Sequence, residues 1–400
     1  MKIAEINMVD YGSTGRLMLQ IADYARTQGH DVRTFSMKWK KQRPEVNGHT
    51  YFGSYIENGM HQVLGRLNGR GGCYSCVGTS QLIAKLKKFN PDIVHLHNLH
   101  NCYVNVEMLF RYIKKHNKKV IWTLHDCWSF TGKCPHFLVN GCEKWKLGCG
   151  NCFVLPEYPA SKADATKYMW RKKKQWYGDV SHLTIVTPSQ WLASLVKQSF
   201  LKENQVVVIN NGINLDVFRP TTSNFREDNS LERQKIVLGV SFGWSTKKGL
   251  EDMVRLSIDL PENYCVVLIG VDESVKKELP ERIVAFGRTS SMEELAGIYS
   301  AANVFVNLTK EDTFPTVNIE AIACGTPVIT LNTGGSGEML NNDSGIIVNN
   351  YEQMLAEIIN VCENDMLSED ACVQRAQSFS IRNCVEKYLS LYQSILRGSI

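Results

Sequence analysis

Two carboxylates eight residues apart, Asp312 and Glu320, stand in the run Thr309-Lys310-Glu311-Asp312-Thr313-Phe314-Pro315-Thr316-Val317-Asn318-Ile319-Glu320-Ala321-Ile322-Ala323-Cys324-Gly325-Thr326-Pro327. The apolar pattern ends a strand near Leu308, gives Asp312 to a loop and starts a helix around Thr316. Glu320 then falls one turn inside that helix. A carboxylate so placed accepts both hydroxyls of a ribose, free amides of the first helical turn hold a diphosphate, and Asp312 takes sugar hydroxyls. The plainer alternative makes Glu320 a solvated helix acid and Cys324-Gly325 a packing and capping feature. A second phosphate-type signal is Tyr11-Gly12-Ser13-Thr14-Gly15-Arg16, between a first strand and a helix. Gly12 and Gly15 allow a tight turn and close backbone approach, although the spacing is not GxGxxG and a plain strand-to-helix turn fits as well.

Histidines gather at two strand ends. Trp122-Thr123-Leu124-His125-Asp126 closes one, and Val94-His95-Leu96-His97-Asn98-Leu99-His100 closes another. His97, Asn98 and His100, with Arg16, are candidates for an acceptor side. His95 and His97 alternate as a metal pair would, but no third ligand is evident, which favours a structural or substrate-contact role.

These residues need a scaffold that presents loops at the carboxyl ends of strands. In the first half, apolar runs at 2–8, 31–37, 92–97, 119–125, 183–187 and 205–209 alternate with helix-period segments at 15–28, 80–88, 104–115 and 190–199. The second half repeats the order, with strands at 235–240, 265–269, 283–286, 304–307, 327–330 and 345–348 and helices near 249–258, 291–300, 316–323 and 351–363. The expected fold class is α/β, two Rossmann-like doubly wound domains facing a cleft, over residues 1–218 and 219–380, with an amphipathic segment 381–400 returning to the first domain. Four hundred residues suffice for two such cores. With 44% hydrophobic and 21% charged residues the chain is neither disordered nor fibrous. The formal charge of +5 conceals an asymmetry: residues 1–218 hold 29 Lys and Arg against 15 Asp and Glu, and residues 219–400 hold 16 against 25. So small a total excludes a dedicated nucleic-acid binder, and no nucleic-acid motif accompanies it. No signal peptide or bilayer-length apolar run is visible, so the expected location is cytoplasmic, at most at the inner face of a membrane.

With those motifs in place, the sequence resembles the retaining glycosyltransferases of family 4, which have the GT-B architecture and use nucleotide-diphosphate sugars. The likeness runs over nearly the whole chain. The family's two loop-and-helix acids fall on Asp312 and Glu320, the first usually Glu. Thr333-Gly334-Gly335-Ser336-Gly337-Glu338 matches its Gly-Gly loop, and Asn210-Asn211-Gly212 through Phe218-Arg219-Pro220 its linker entry. The resemblance implies a UDP- or GDP-linked sugar as donor. It implies catalytic roles for His125, Asp312 and Lys248, and donor contacts from Gly12, Gly15, Arg288, Thr313, Phe314, Pro315, Thr316 and Glu320. One cation departs from the pattern: the Arg expected five residues before Lys248-Gly249 is Gly243, for which Lys247, Arg288 or Arg16 could substitute. Without any Asp-x-Asp, no catalytic metal is expected, and the sugar moves with retention by front-face attack. The resemblance further implies an acceptor that is a glycan or a lipid-diphosphate carrier of surface polysaccharide synthesis. Two rivals stay open: a nucleotide-sugar 2-epimerase of this fold, and a catalytically silent donor-binding scaffold.

Thirteen cysteines, an odd number, suit a reducing compartment. Five lie in an insertion at 127–152, of a kind found in bacterial exopolysaccharide enzymes of the family. Cys134, Cys142, Cys149 and Cys152 have a spacing that suits a structural zinc, the alternative being free thiols among aromatics. A loop of that length is expected to lack its own core. Lys167 to Tyr177 interleaves five cations with four aromatics, and with Lys38-Trp39-Lys40-Lys41 it points to peripheral contact with an anionic membrane; a solvated helix face is the alternative.

Overall fold

A computed structural model describes residues 1–38, 48–364 and 366–398. Trp39, Lys40 and Lys41, expected at a membrane surface, lie outside the described residues. The chain divides into one unit of Met1–Ile209 with Val385–Ile400 and a second of Asn210–Cys384. The division thus falls nine residues before the boundary expected at 218. Ile213 explains it, because its main chain pairs with Phe379 and Ile381 and ties the linker entry into the second unit.

Seven strands build the first unit's sheet: β1 (Lys2–Ile6), β2 (Asp31–Met37), β3 (His49–Phe52), β4 (Ile93–Leu96), β5 (Lys119–Thr123), β6 (Leu183–Thr187) and β7 (Gln205–Val208). All pairings are parallel, in the order β3-β2-β1-β4-β5-β6-β7. Chain order reverses direction between β1 and β4, so their following loops lie side by side, the place where such sheets bind ligands. The core joins Trp122 and Phe110 to Trp176 and Tyr177. Tyr388 and Tyr392 of the Ile381–Arg397 helix are fully buried in this unit.

The second unit holds β8 (Lys235–Val240), β9 (Tyr264–Ile269), β10 (Ile283–Phe286), β11 (Val304–Asn307), β12 (Val328–Leu331) and β13 (Gly345–Val348), parallel in the order β10-β9-β8-β11-β12-β13. Its strands are apolar on both faces, as a helix-covered parallel sheet requires. Ile236 and Leu238 of β8 pack with the Met292–Ala301 and Thr316–Ala323 helices, and Val237 between them packs with Leu250–Asp259 and Tyr351–Asn364. Here the reversal lies between β8 and β11, one of which leads to Lys248 and the other to Asp312. Among the described residues no helix is long and apolar enough to cross a membrane.

Candidate functional site

In the second unit the two loops at the strand reversal meet through opposite charges. Lys248, ending the Thr246–Lys248 turn after β8, donates to Asp312 at 3.2 Å, and Lys247 donates to Glu311 at 3.3 Å. Gly249 follows with φ +78°, and a Cβ there would stand 2.4 Å from that of Leu308, so only glycine lets the β8 loop lie on the β11 loop. Asp312 also accepts from the Phe314 amide at 3.2 Å, which curls the loop into the next helix. Gly334 closes on it from the third side: its φ is +56°, and a Cβ would overlap the Asp312 carbonyl.

The Thr316–Ala323 helix begins after Pro315 with no side-chain cap. Its first turn therefore keeps donor capacity for an anion. Glu320 is half-buried; Tyr299 donates to one oxygen at 3.2 Å and Thr316 to the other at 3.3 Å. Asp312, Thr316, Glu320 and Lys248 are thus brought to one end of the sheet. Thr313 and Phe314 are buried, Phe314 packing against Phe379, so these two residues offer a ligand their main chain rather than their side chains. Gly243, standing where the family has an arginine, has φ +74°, a conformation that an arginine side chain disfavours. Beside it Phe242 is 70% exposed, with the Arg288 guanidinium over its ring at 5.2 Å. Of the three substitute cations, Arg288 is the one held at this loop, while Lys247 is engaged by Glu311.

In the first unit the loops after β1, β4 and β5 are knitted together by neutral groups. The buried Asn7 side chain donates to Val9 and Thr14 and accepts from the Asn98 amide. Gly12 has φ +68° and open space around it. Gly15 is different: a Cβ there would lie 2.6 Å from the Asp10 carbonyl carbon, so its small size serves packing. Arg16 is exposed on the first helical turn. His125 and the buried His97 contact each other, Nε2 to Nδ1, at 3.1 Å. His100 and Asp126 form a pair at 2.8 Å. Burial opposes both charges there, yet the partner's charge dominates: the His100 value is raised and the Asp126 value falls to about 2. His125, by contrast, is lowered to about 4 by burial and is neutral at pH 7.

The third neighbour that the sequence did not offer His95 and His97 is Glu5 of β1, and the ligand atoms of these three lie within 4.8 Å of one another. In the basic run, Trp170, Trp176 and Tyr177 are core residues, and Lys173 is fully buried. Its Nζ donates to the carbonyls of Trp128 at 2.6 Å and Thr131 at 3.1 Å, 3.3 Å from the Trp128 ring centre. The cysteine insertion is anchored instead on the first unit's core, to which Phe130, Phe137 and Trp145, packed between them, all belong.

Burial and the neighbouring thiols Cys152, Cys149 and Cys142 push Cys134 up to about 12, against the opposing charge of Lys133. Among the described residues, however, Glu5, His95 and His97 form the one trio of ligand atoms within 4.8 Å, and the cysteines are more loosely spaced.

A feature missed in the sequence is the Tyr55–Asn68 helix. Ile56, Met60, Val63, Leu64 and Leu67 share one of its faces and are 37–62% exposed. Their spacing is legible in the sequence once a helix is assigned there. Arg70 and Lys172 both lie over the Tyr168 ring, at 4.7 and 5.9 Å, joining the end of this helix to the cationic Thr166–Tyr177 helix.

Comparison with known proteins gives the same outline. Residues 14–217 match the model described as Glycosyltransferase Family 4, and residues 221–379 the one described as Glycosyl transferases group 1. Over 321 residues the chain is 26% identical to the putative colanic acid biosynthesis glycosyl transferase WcaC of Escherichia coli (strain K12), covering 76% of this chain and 77% of that one. Among solved structures, a sucrose-phosphate synthase from Thermosynechococcus elongatus aligns with TM-score 0.74 at 18% identity over 99% of both chains. Anabaena HepE in complex with UDP-glucose aligns with TM-score 0.68 at 14% identity, over 98% of this chain and 100% of that one. At such identities these two matches establish the fold.

Proposed function

The chain belongs to glycosyltransferase family 4, and from that premise we propose that it transfers a sugar from a nucleotide-diphosphate donor, with retention and without a catalytic metal, to a glycan or lipid-linked acceptor in surface polysaccharide synthesis. The observation that carries this reading is the meeting of Lys248, Asp312 and Glu320 at the strand reversal of the second unit, beside an uncapped helix start. Glu320 takes the ribose hydroxyls, the helix amides and Lys248 take the diphosphate, and Asp312 addresses the sugar. Arg288 supplies the cation missing at Gly243. These local donors explain how an acidic half of the chain holds an anion. HepE binds UDP-glucose, which makes a uridine nucleotide the first donor to try.

In the first unit, His125 meets the donor sugar, and His97, Asn98 and His100 border the acceptor. The apolar face of the Tyr55–Asn68 helix, flanked by cations of the Thr166–Tyr177 helix, docks on an anionic lipid surface that carries the acceptor. Cys134, Cys142, Cys149 and Cys152 fit a structural zinc by kind and number.

A thermal-shift screen of nucleotide sugars tests the donor assignment, because a ligand bound only by the folded state raises its melting temperature. Selective stabilisation by one nucleotide sugar, followed by sugar transfer to a lipid-linked acceptor, is expected. Release of free sugar nucleotide isomer without an acceptor would instead establish an epimerase, and binding without any turnover a scaffold. A strong chelator in the same screen lowers the melting temperature if the four thiols hold zinc, and leaves it unchanged if they do not.

A further inference from the structure

Beneath His125 lies a buried polar cluster, Glu5, His95 and His97, of which only His97 has a place in the site proposed above. Glu5 stands opposite His95 in the β1–β4 register, and His97 follows two residues on, so the three side chains share one face of the sheet. All are buried. His95 is satisfied at both nitrogens, by Tyr392 at 2.7 Å and Thr123 at 2.8 Å, and Tyr392 also donates to Glu5 Oε1 at 3.4 Å. A metal bound by the trio would have to break one of the His95 contacts, so we do not read it as a metal centre. Two atoms remain without a partner, Glu5 Oε2 and His97 Nε2, and they face each other at 3.6 Å. The far nitrogen of His97 is the one that contacts His125.

We propose that Glu5 and His97 form a hydrogen-bond relay that fixes the tautomer of His125, leaving its proton on Nδ1. This makes them positioning residues, and the role of His125 itself rests on the function proposed above. One proton must lie in each gap of the chain Glu5–His97–His125, which leaves two self-consistent arrangements. If Glu5 is a carboxylate, His97 donates to it from Nε2 and accepts at Nδ1 from His125 Nε2–H, so His125 Nδ1 carries a lone pair. If Glu5 is a carboxylic acid, its O–H donates to His97 Nε2, His97 Nδ1–H donates to His125 Nε2, and His125 Nδ1 carries the hydrogen.

Burial selects the second arrangement. It pushes the Glu5 carboxyl well above the usual range, outweighing the Arg26 charge and the Tyr392 hydrogen bond, which pull the other way. Arg26 itself is engaged by Asp23 and the Val32 carbonyl. Burial also keeps His95, His97 and His125 neutral, so no imidazolium is present to balance a carboxylate. A carboxylic acid needs only about half an ångström of closure to satisfy both unpartnered atoms. His125 then meets its ligand as a hydrogen-bond donor rather than as a base.

The test is two-bond 15N–1H correlation spectroscopy on the full chain labelled in histidine, at pH 7, with His125→Gln identifying the His125 signals. Wild type is expected to show His125 as the Nδ1–H tautomer. Glu5→Gln should keep that pattern, because a carboxamide N–H donates where the acid O–H did, whereas Glu5→Leu should give mixed tautomers. An Nε2–H pattern in the wild type would overturn the proposal, as would a switch of tautomer in Glu5→Gln or a stoichiometric divalent metal lost on His95→Leu. If Glu5→Leu fails to fold, wild type and Glu5→Gln still decide. The spectra need no substrate, so a failed relay is told apart from a failed role for His125, which His125→Ala in the transfer assay reads.

Discussion

Both units place their candidate residues where strand order reverses, yet they handle polarity in opposite ways. At the β8–β11 reversal the groups are charged and paired across loops, the half-buried Lys248 with Asp312, and Lys247 with the buried Glu311. The Lys248–Asp312 pair, open to solvent on both sides, costs little to open and can exchange one partner for a phosphate. At the β1–β4 reversal the inner groups, Glu5, His95 and His97, are buried and held neutral, and a half-buried ion pair, His100 with Asp126, lies nearer the surface. The difference teaches that one end is built to trade charges with a ligand and the other to hold hydrogen-bond directions fixed.

The sharpest way to break this comparison is Glu320→Ala, which should weaken nucleotide-sugar binding at least about a hundredfold, since the ribose contact is lost outright. Calorimetry that finds unaltered affinity would remove the charged end from the donor site. Next comes Lys173→Met in the first unit. The Trp128 and Thr131 carbonyls lose their buried donor, and the cost should be about 2–4 kcal/mol in urea unfolding. A change below about 0.5 kcal/mol would show that this lysine is not what holds the Cys127–Thr131 turn.

A smaller effect is expected at the surface. Ile56→Glu with Val63→Glu should reduce binding to anionic vesicles severalfold without altering nucleotide affinity; unchanged vesicle binding would leave that apolar face without a membrane role. The smallest effect is the pH dependence of the His100–Asp126 pair. Asp126 is lowered, so its contribution is present above the ordinary carboxylate value of 3.8 and is lost as pH falls toward about 2. His100 is raised, so its contribution is full below 6.5 and is lost as pH climbs through its folded value. His100→Gln should therefore cost more stability at pH 5 than at pH 8. Equal costs would mean that the pair is held by packing rather than charge.

The charged end was legible in the sequence because its residues are nearly contiguous: Asp312, Thr316 and Glu320 follow one another in a loop and the helix it enters. The neutral end was not, because Glu5, Thr123, Tyr388 and Tyr392 come from three strands or helices far apart in the chain, and each reads alone as an ordinary core position. Lys173 was misplaced for a related reason. In a run of cations its sequence neighbours are solvated, and only its three-dimensional position beneath Trp128 sets it apart. The two-domain α/β fold was legible in its strands except at β3, four residues long, and less so in its helices: Glu369–Ala376 went unread, as did Tyr55–Asn68, whose buried face carries the polar Asn58 and His61.

The return of the Ile381–Arg397 helix to the first unit also sets an order of events during synthesis. Tyr388 and Tyr392, which close the space under His95 and Thr123, are translated only after all of residues 210–384. A nascent first unit therefore waits with that polar pocket open until the second unit has emerged from the ribosome. Its folding is completed by a contact nearly three hundred residues distant, the kind of closure that slows folding and lengthens exposure to chaperones.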